Sequence, residues 1–227
     1  MLAERRMAAE LMDDPALDPA TYRAVLADLA RVNGVTLAYR PTLGFLGRAL
    51  GDRRRFSLLD VGFGDGDMLR RIAHWAQARG MEARLTGIDC NPRSLAAARA
   101  SASEQPIRYL AGDYADLAGE GFDLIVSSLV AHHMDEGELI AFLRFMKREA
   151  RRGWFVNDLH RHPLAYHGWP LLARAMRWHA IVRADGRTSI ARSFRPADWR
   201  RLLTEAEVQG ARIRRYLPFR LCVERLR

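Results

Sequence analysis

The stretch Asp60-Val61-Gly62-Phe63-Gly64-Asp65-Gly66 constrains this chain more than any other. An apolar run, FSLLDV, leads into it, and an amphipathic segment, DMLRRIAHWAQARG, follows directly. Its glycines fall where a strand must hand over to a helix. Glycine takes backbone conformations that other residues avoid and lets a ligand approach the main chain closely. In open α/β sheets the crevice beyond the carboxyl ends of the strands is where ligands bind. The stretch therefore predicts an α/β fold with a ligand site just past this first strand.

The segments that follow keep the same rhythm. ARLTGID, IRYLA, FDLIVSS and GWFVNDL read as strands, and PRSLAAARAS and DEGELIAFLRFMKREA as helices between them. Continuous apolar strands alternating with helices indicate a parallel sheet covered on both faces. Near the end, PADWRRLLTEAEV reads as a helix, and ARIRRY and FRLCVER as two strands joined through Leu217-Pro218. So short a link requires an antiparallel pair. Before the sheet, residues 1–50 form a helical cap, with Asp18 capping a helix that has Pro19 at its first position. Asn33-Gly34 and Pro41 are expected to break that region. Residues 159–195 interrupt the rhythm with prolines, aromatics and histidines and read as a lid inserted after the fifth strand. The remainder, 51–227, is one domain.

The loop reads D-x-G-x-G-x-G, not the G-x-G-x-x-G of a dinucleotide site. Its tighter spacing, with an acid at the strand end, suits a ligand with an amino-acid tail. Asp89 ends the second strand, where a carboxylate accepts from ribose hydroxyls. Gly112-Asp113-Tyr114 follows the third strand, putting an acid near an adenine amino group and a ring to cover its face.

With LLDVGFGDG, LTGIDCNP, AGDYADL and FDLIVSSLVAHHM in this order, residues 56–158 resemble a class I S-adenosylmethionine-dependent methyltransferase core. The resemblance implies a Rossmann-like, mostly parallel sheet of seven strands, the last antiparallel, with S-adenosylmethionine across its carboxyl edge. It implies that Asp60, Gly62, Gly64 and Gly66 line the methionine portion, Asp89 the ribose and Asp113 the adenine, with Ser127 and Ser128 beneath the cofactor; Phe63, Cys90 and Tyr114 are expected among the cofactor-binding residues too. The segments MDDPALDPATYRAVLADLARVN and NDLHRHPLAYH are similar to those of small-molecule methyltransferases associated with type III polyketide synthases. Those resemble in outline the ubiquinone and menaquinone methyltransferases.

Transfer from a sulfonium needs alignment of the acceptor and removal of its proton. Histidine suits a phenol or enolic pyrone near neutral pH. His132, His133, His160, His162 and His167 cluster after the fourth and fifth strands, where the methyl group emerges. His133 is the first choice as acid–base group, then His160, with His132 beside them. His162, Tyr166 and Trp169 are expected to contact the acceptor, and the apolar residues of the lid suggest that it is a small aromatic molecule. Metal-dependent relatives place carboxylates after the fourth strand, where this chain has Ser127 and Ser128. Asn157-Asp158 inverts the order of their acid–amide pair, so a metal-independent reaction is expected.

The net charge of +9 invites a nucleic-acid reading. Yet only Lys147 among the 36 basic residues is a lysine, which points to coding bias. SSLV after the fourth strand also differs from the NPPY-type motif of base methyltransferases. Arg174 and Arg177 leave room for peripheral contact with a membrane surface. Cys90 and Cys222, too few for a disulfide framework, and a charged N-terminus without an apolar signal core fit a cytoplasmic location. The expected role is O-methylation in secondary metabolism by a monomer or homodimer. C-methylation of a quinol ring, nucleic-acid methylation and a non-catalytic cofactor-binding subunit are the alternatives.

Overall fold

The computed structural model describes residues 2–101 and 106–227. Strands β1 (Arg55–Val61), β2 (Glu82–Asp89), β3 (Ile107–Ala111), β4 (Leu124–Ser128), β5 (Gly153–Leu159), β6 (Arg212–Tyr216) and β7 (Arg220–Leu226) form one sheet in the order β3-β2-β1-β4-β5-β7-β6. The first five are parallel, and β7 runs antiparallel to both β5 and β6. This is the Rossmann-like seven-stranded arrangement expected, with the closing hairpin in place.

Strand period explains how both faces of the sheet are filled. In β5, Trp154 and Val156 point to one side with Leu221 and Val223 of β7, and Phe155 points to the other with Cys222. On the first side lie α5 (Glu136–Glu149) and α8 (Pro196–Glu205), through Phe142, Leu143, Trp199 and Leu202. On the second lie α2 (Tyr39–Leu50) and α3 (Asp67–Gln77), where Phe45 stacks on Phe155 at 4.9 Å. Helix α4 (Pro92–Ala100) connects β2 to β3. At the start of α5, Asp135 and Glu138 cap each other's backbone N–H at 2.8 Å, an arrangement worth about 1 kcal/mol.

Two expected breaks in the N-terminal region fall elsewhere. Helix α1 (Pro19–Val35) runs through Asn33-Gly34, and the chain turns only at Thr36–Ala38, where Leu37 has φ 55°. Packing of Val25 and Val32 against Trp178 and Val182 outweighs the low helix propensity of Asn and Gly. Pro41 lies in the first turn of α2, where its missing N–H is one that a helix leaves unpaired anyway. Asp18 caps α1 as expected, accepting from Ala20 and Thr21 N–H at 3.0 Å.

Residues 159–195 fold into α6 (Pro163–Ala175) and α7 (Ala180–Arg192), which stand beyond the carboxyl ends of β4 and β5. The N-terminal residues cross the same edge. Arg161 donates to Leu2 and Ala3 O, Arg192 to Ala8 O, and Asp185 accepts from Leu11 and Met12 N–H. Among the described residues no helix is long and apolar enough to cross a membrane.

Candidate active site

These elements enclose a cavity of about 710 Å³ at the carboxyl edge of the sheet. Its floor comes from the loops after β1, β2, β4 and β5 and from the start of β7, and its walls from α1, α6 and α7. At the β1 end the chain turns through Gly62 and Gly64, at φ 76° and 58°, and enters α3 through Gly66 at φ 78°. A Cβ on Gly62 would come within 2.2 Å of Val130 Cγ2. The sharp turn therefore depends on the absence of side chains.

Asp60 lies beneath this loop, 1% exposed, and its Oδ1 has no hydrogen-bond partner. Burial, and then the nearby Asp89 carboxylate, push its pKa up to about 7. Asp89 accepts from Gly64 N–H and Asn91 N–H, both at 2.9 Å, which ties the ends of β1 and β2 together. Burial raises the Asp89 carboxyl as well. Two acids under little solvent beside a bare glycine loop form an electronegative pocket that suits a ligand carrying both a cation and hydroxyl groups.

Gly62, Phe63, Gly64, Asp89, Cys90 and Ser128 line the cavity, whereas Asp60, Gly66, Asp113, Tyr114 and Ser127 do not. Ser127 is buried and donates to Val61 O at 2.9 Å. Asp113 caps the turn that follows it through Ala115 N–H. Tyr114 does not stand free to cover a ligand ring, because its own ring packs on Phe142 and Phe145 at 5.0 and 4.8 Å.

After β4, Leu129 takes φ 62°, an uncommon conformation for a side chain that branches, and lines the cavity. A single helical turn, Ala131–His133, then presents the paired histidines. His132 is 2% exposed. Its N–H donates to Asp158 Oδ2 at 3.0 Å, and its Nδ1 lies 2.8 Å from Asp158 Oδ1. Burial alone would raise the Asp158 carboxyl. His132 and the backbone N–H groups of Leu159 and His132 outweigh it and hold Asp158 below its ordinary value. His132 Nε2 lies 3.7 Å from Glu10 Oε1.

His133 is more open. Its Nε2 is 3.8 Å from Glu10 Oε2 and its Nδ1 3.3 Å from Asp13 Oδ2. Burial raises the Glu10 carboxyl, countered by His133, Ser189 and Arg192. His160 also lines the cavity. Burial, and then Arg215, His162, Arg195 and Arg161, push its pKa down to about 4, so it is neutral at physiological pH. His162 lies outside, capping α6 through Leu164 N–H and facing Phe219. Tyr166 also lies outside, under the Arg187 guanidinium. Trp169 lines the cavity, stacks on Trp178 at 5.4 Å and donates to Arg183 O.

Glu10, His132 and His133 bring one donor atom each within 4.8 Å of the others, a spacing that can hold a cation. The Arg192 guanidinium, 3.6 Å from Glu10 Oε1, already supplies a positive charge there. Asn157 does not pair with Asp158 as a ligand set. Its amide donates to Ala38 O and Thr42 Oγ1. Glu10, Leu129, Arg192 and Arg220 of this site went unrecognised in the sequence. Only Arg220 carried a signal there, as a charge immediately before the apolar run Leu221-Cys222-Val223.

Residues 58–153 match a family model described as a methyltransferase domain. A search of curated proteins finds no match. Among solved structures, the plantazolicin methyltransferase BpumL, in complex with a pentazolic desmethylPZN analog and SAH, is 16% identical, with a TM-score of 0.65 over 89% of this chain and 74% of that one. Magnesium protoporphyrin IX methyltransferase from Synechocystis PCC 6803, with bound SAH, is 17% identical, with a TM-score of 0.57 over 95% and 91%. A SAM-dependent methyltransferase from Aquifex aeolicus is 15% identical, with a TM-score of 0.63 over 92% and 97%. The chain has the Rossmann-like methyltransferase fold, and the methyltransferase-domain match runs from within β1 to the first residue of β5.

Proposed function

We propose that this protein is an S-adenosylmethionine-dependent methyltransferase that methylates a hydroxyl of a small aromatic acceptor (a phenol, hydroquinone or pyrone of polyketide type) with a histidine base and without a metal. The observation that carries the reading is the buried Asp158–His132 pair, whose histidine lines the same cavity that the glycine loop opens into.

The residues present fit the cofactor. Gly62 and Gly64 leave its amino-acid tail room at the main chain, the unpartnered Asp60 Oδ1 offers negative charge beneath the loop, and Asp89 offers acceptor capacity at the β2 end. When bound, the cofactor supplies an electrophilic methyl group. The chain's own contribution is to orient the acceptor and take its proton. Asp158 accepts from His132 Nδ1–H, which leaves Nε2 free to accept from an acceptor hydroxyl. The imidazolium that results lies between Asp158 and Glu10, two carboxylates that stabilise it. His133, expected from the sequence to lead, is half-buried and paired with Asp13, which suits a role in binding and charge balance. His160 stays neutral and suits hydrogen bonding to the acceptor.

The apolar walls, from Val25, Leu29, Trp169, Leu172 and Val182, suit an aromatic or alkyl-bearing molecule and exclude water from the reaction. In this reading α1 caps the cofactor side and α6–α7 form the lid over the acceptor. Incubation with methyl-labelled S-adenosylmethionine and a panel of alkylresorcinols, alkylpyrones, hydroquinones and total tRNA tests it. Label is expected on the oxygen of a phenolic or pyrone product. Label only in RNA, or in none of the panel, overturns the assignment of substrate. Failure of the protein to bind SAH overturns the cofactor reading as well.

A further inference from the structure

Arg220 opens β7 at the carboxyl edge of the sheet, opposite Leu159 of β5, and lines the cavity. It is 3% exposed. Its Nη2 donates only to neutral oxygens, Asn33 Oδ1 at 3.3 Å and Thr36 Oγ1 at 3.4 Å. Its Nη1 is buried with no partner. Among the described residues no carboxylate forms an ion pair with it. Asp158 is engaged by His132, and Glu224, on the same face of β7, is held by Arg48 and Arg214 at 2.5 Å.

A buried guanidinium without a counter-charge is costly, and two long hydrogen bonds to neutral oxygens repay only part of its desolvation. Every other fully buried arginine of this edge is repaid. Arg161 pairs with Asp198 at 3.0 Å and donates to three carbonyls, and Arg192 faces Glu10 and donates to three carbonyls. Arg220 stands out, and it does so on the wall of the ligand cavity.

We infer that Arg220, with Asn33 and Thr36, forms a carboxylate-binding subsite for the acceptor. The unpaired Nη1 offers its N–H groups to a carboxylate and the Asn33 amide adds a donor beside it, while Thr36, whose hydroxyl donates to Val32 O, holds Nη2 in place. Its position assigns the carboxylate to the acceptor. In strand order the glycine loop follows β1, His132 follows β4, His160 follows β5, and Arg220 begins β7. Three strand spacings, about 14 Å, separate β1 from β7. The subsite thus lies beyond the base as counted from the cofactor loop, at the end of the cavity where the acceptor's far side would be. The acceptor class this selects is an aromatic hydroxy acid, its hydroxyl at His132 and its carboxylate at Arg220. This deepens the proposed methyl transfer and rests on it for which end of the cavity holds the cofactor and for His132 as the base.

Calorimetry on the full chain tests the inference with four probes: 4-hydroxyphenylacetate, its matched alcohol 4-hydroxyphenethyl alcohol, SAH, and 5′-methylthioadenosine, which lacks the amino-acid tail. The wild type is expected to bind the acid at least tenfold more tightly than the alcohol. Arg220→Met is expected to abolish that preference while leaving SAH within twofold. Arg220→Lys is expected to recover part of it, which a purely structural arginine would not produce. A weakened SAH with unchanged 5′-methylthioadenosine would move the carboxylate to the cofactor's tail and overturn the acceptor assignment. No preference for the acid in the wild type, or a preference that survives Arg220→Met, overturns the subsite. Should Arg220→Met not fold, Thr36→Val with Asn33→Leu carries the same comparison. A clear SAH isotherm for the wild type separates this outcome from failure of the cofactor reading.

Discussion

His132 Nδ1 lies 2.8 Å from Asp158 Oδ1, and both side chains are buried. Asp158 is the penultimate residue of β5 and His132 sits in the turn after β4, so adjacent parallel strands deliver the two to one point. A carboxylate on Nδ1 favours the proton at that nitrogen and leaves Nε2 toward Glu10, 3.7 Å away.

Replacing Asp158 with Asn is therefore expected to lower kcat by about 10²–10⁴, the range of a lost general base, because the amide no longer enforces the tautomer. SAH affinity should stay within about twofold. His132→Ala is expected to match it, and the double variant should be no worse than either, as befits groups acting as one unit. A kcat within threefold of wild type for His132→Ala would remove His132 from proton transfer.

Asp60 makes stability depend on pH in a defined direction. Its folded pKa, about 7, is raised above the unfolded value near 3.9, so its contribution is fully present below pH 4 and is lost as pH rises toward 7. Asp60→Asn is expected to melt higher than wild type at pH 8 without ligand and at a similar temperature at pH 4. The same variant should bind SAH at least tenfold more weakly. Differential scanning fluorimetry from pH 4 to 8, with and without SAH, reads both effects. Parallel melting curves across the range would contradict the shift.

At Gly62, two separable costs meet. An alanine there places its Cβ 2.2 Å from Val130 Cγ2 and must also hold φ 76°. Gly62→Ala is expected to destabilise the fold by about 1–3 kcal/mol and to abolish SAH binding. Adding Val130→Ala should restore part of the stability by removing the clash, while the cost of the positive φ remains. Urea titration of the single and double variants measures the two contributions.

The Glu10, His132 and His133 cluster allows the metal-independent reading to be checked directly. Protein dialysed against a chelator should retain its turnover, and added magnesium, manganese or zinc should change it by no more than about twofold, since Arg192 already neutralises Glu10. Turnover lost on chelation and recovered with one of these ions would make the cluster a metal centre.

The order of elements and the glycine loop could be read along the chain because both are local. Strand and helix periods, the cap at Asp18 and the alternation of Gly62, Gly64 and Gly66 are written in neighbouring residues, and the sheet follows from them. The same holds for Asp89, which ends its strand where expected and lines the cavity. Tyr114 shows where local reading stops. It follows β3 as anticipated, yet its ring is taken up by Phe142 and Phe145 from a helix outside its own βα unit.

What each histidine can do was decided by tertiary structure alone. His132 and His133 are neighbours in sequence with nearly the same local context. One is buried on Asp158 of β5 and the other half-open beside Asp13 of the N-terminal segment. Glu10 and Arg220 reach the cavity from the two ends of the chain, and no periodicity relates them to the loop at Gly62. Their roles arise from burial and from the charges placed next to them, which only the folded chain brings together.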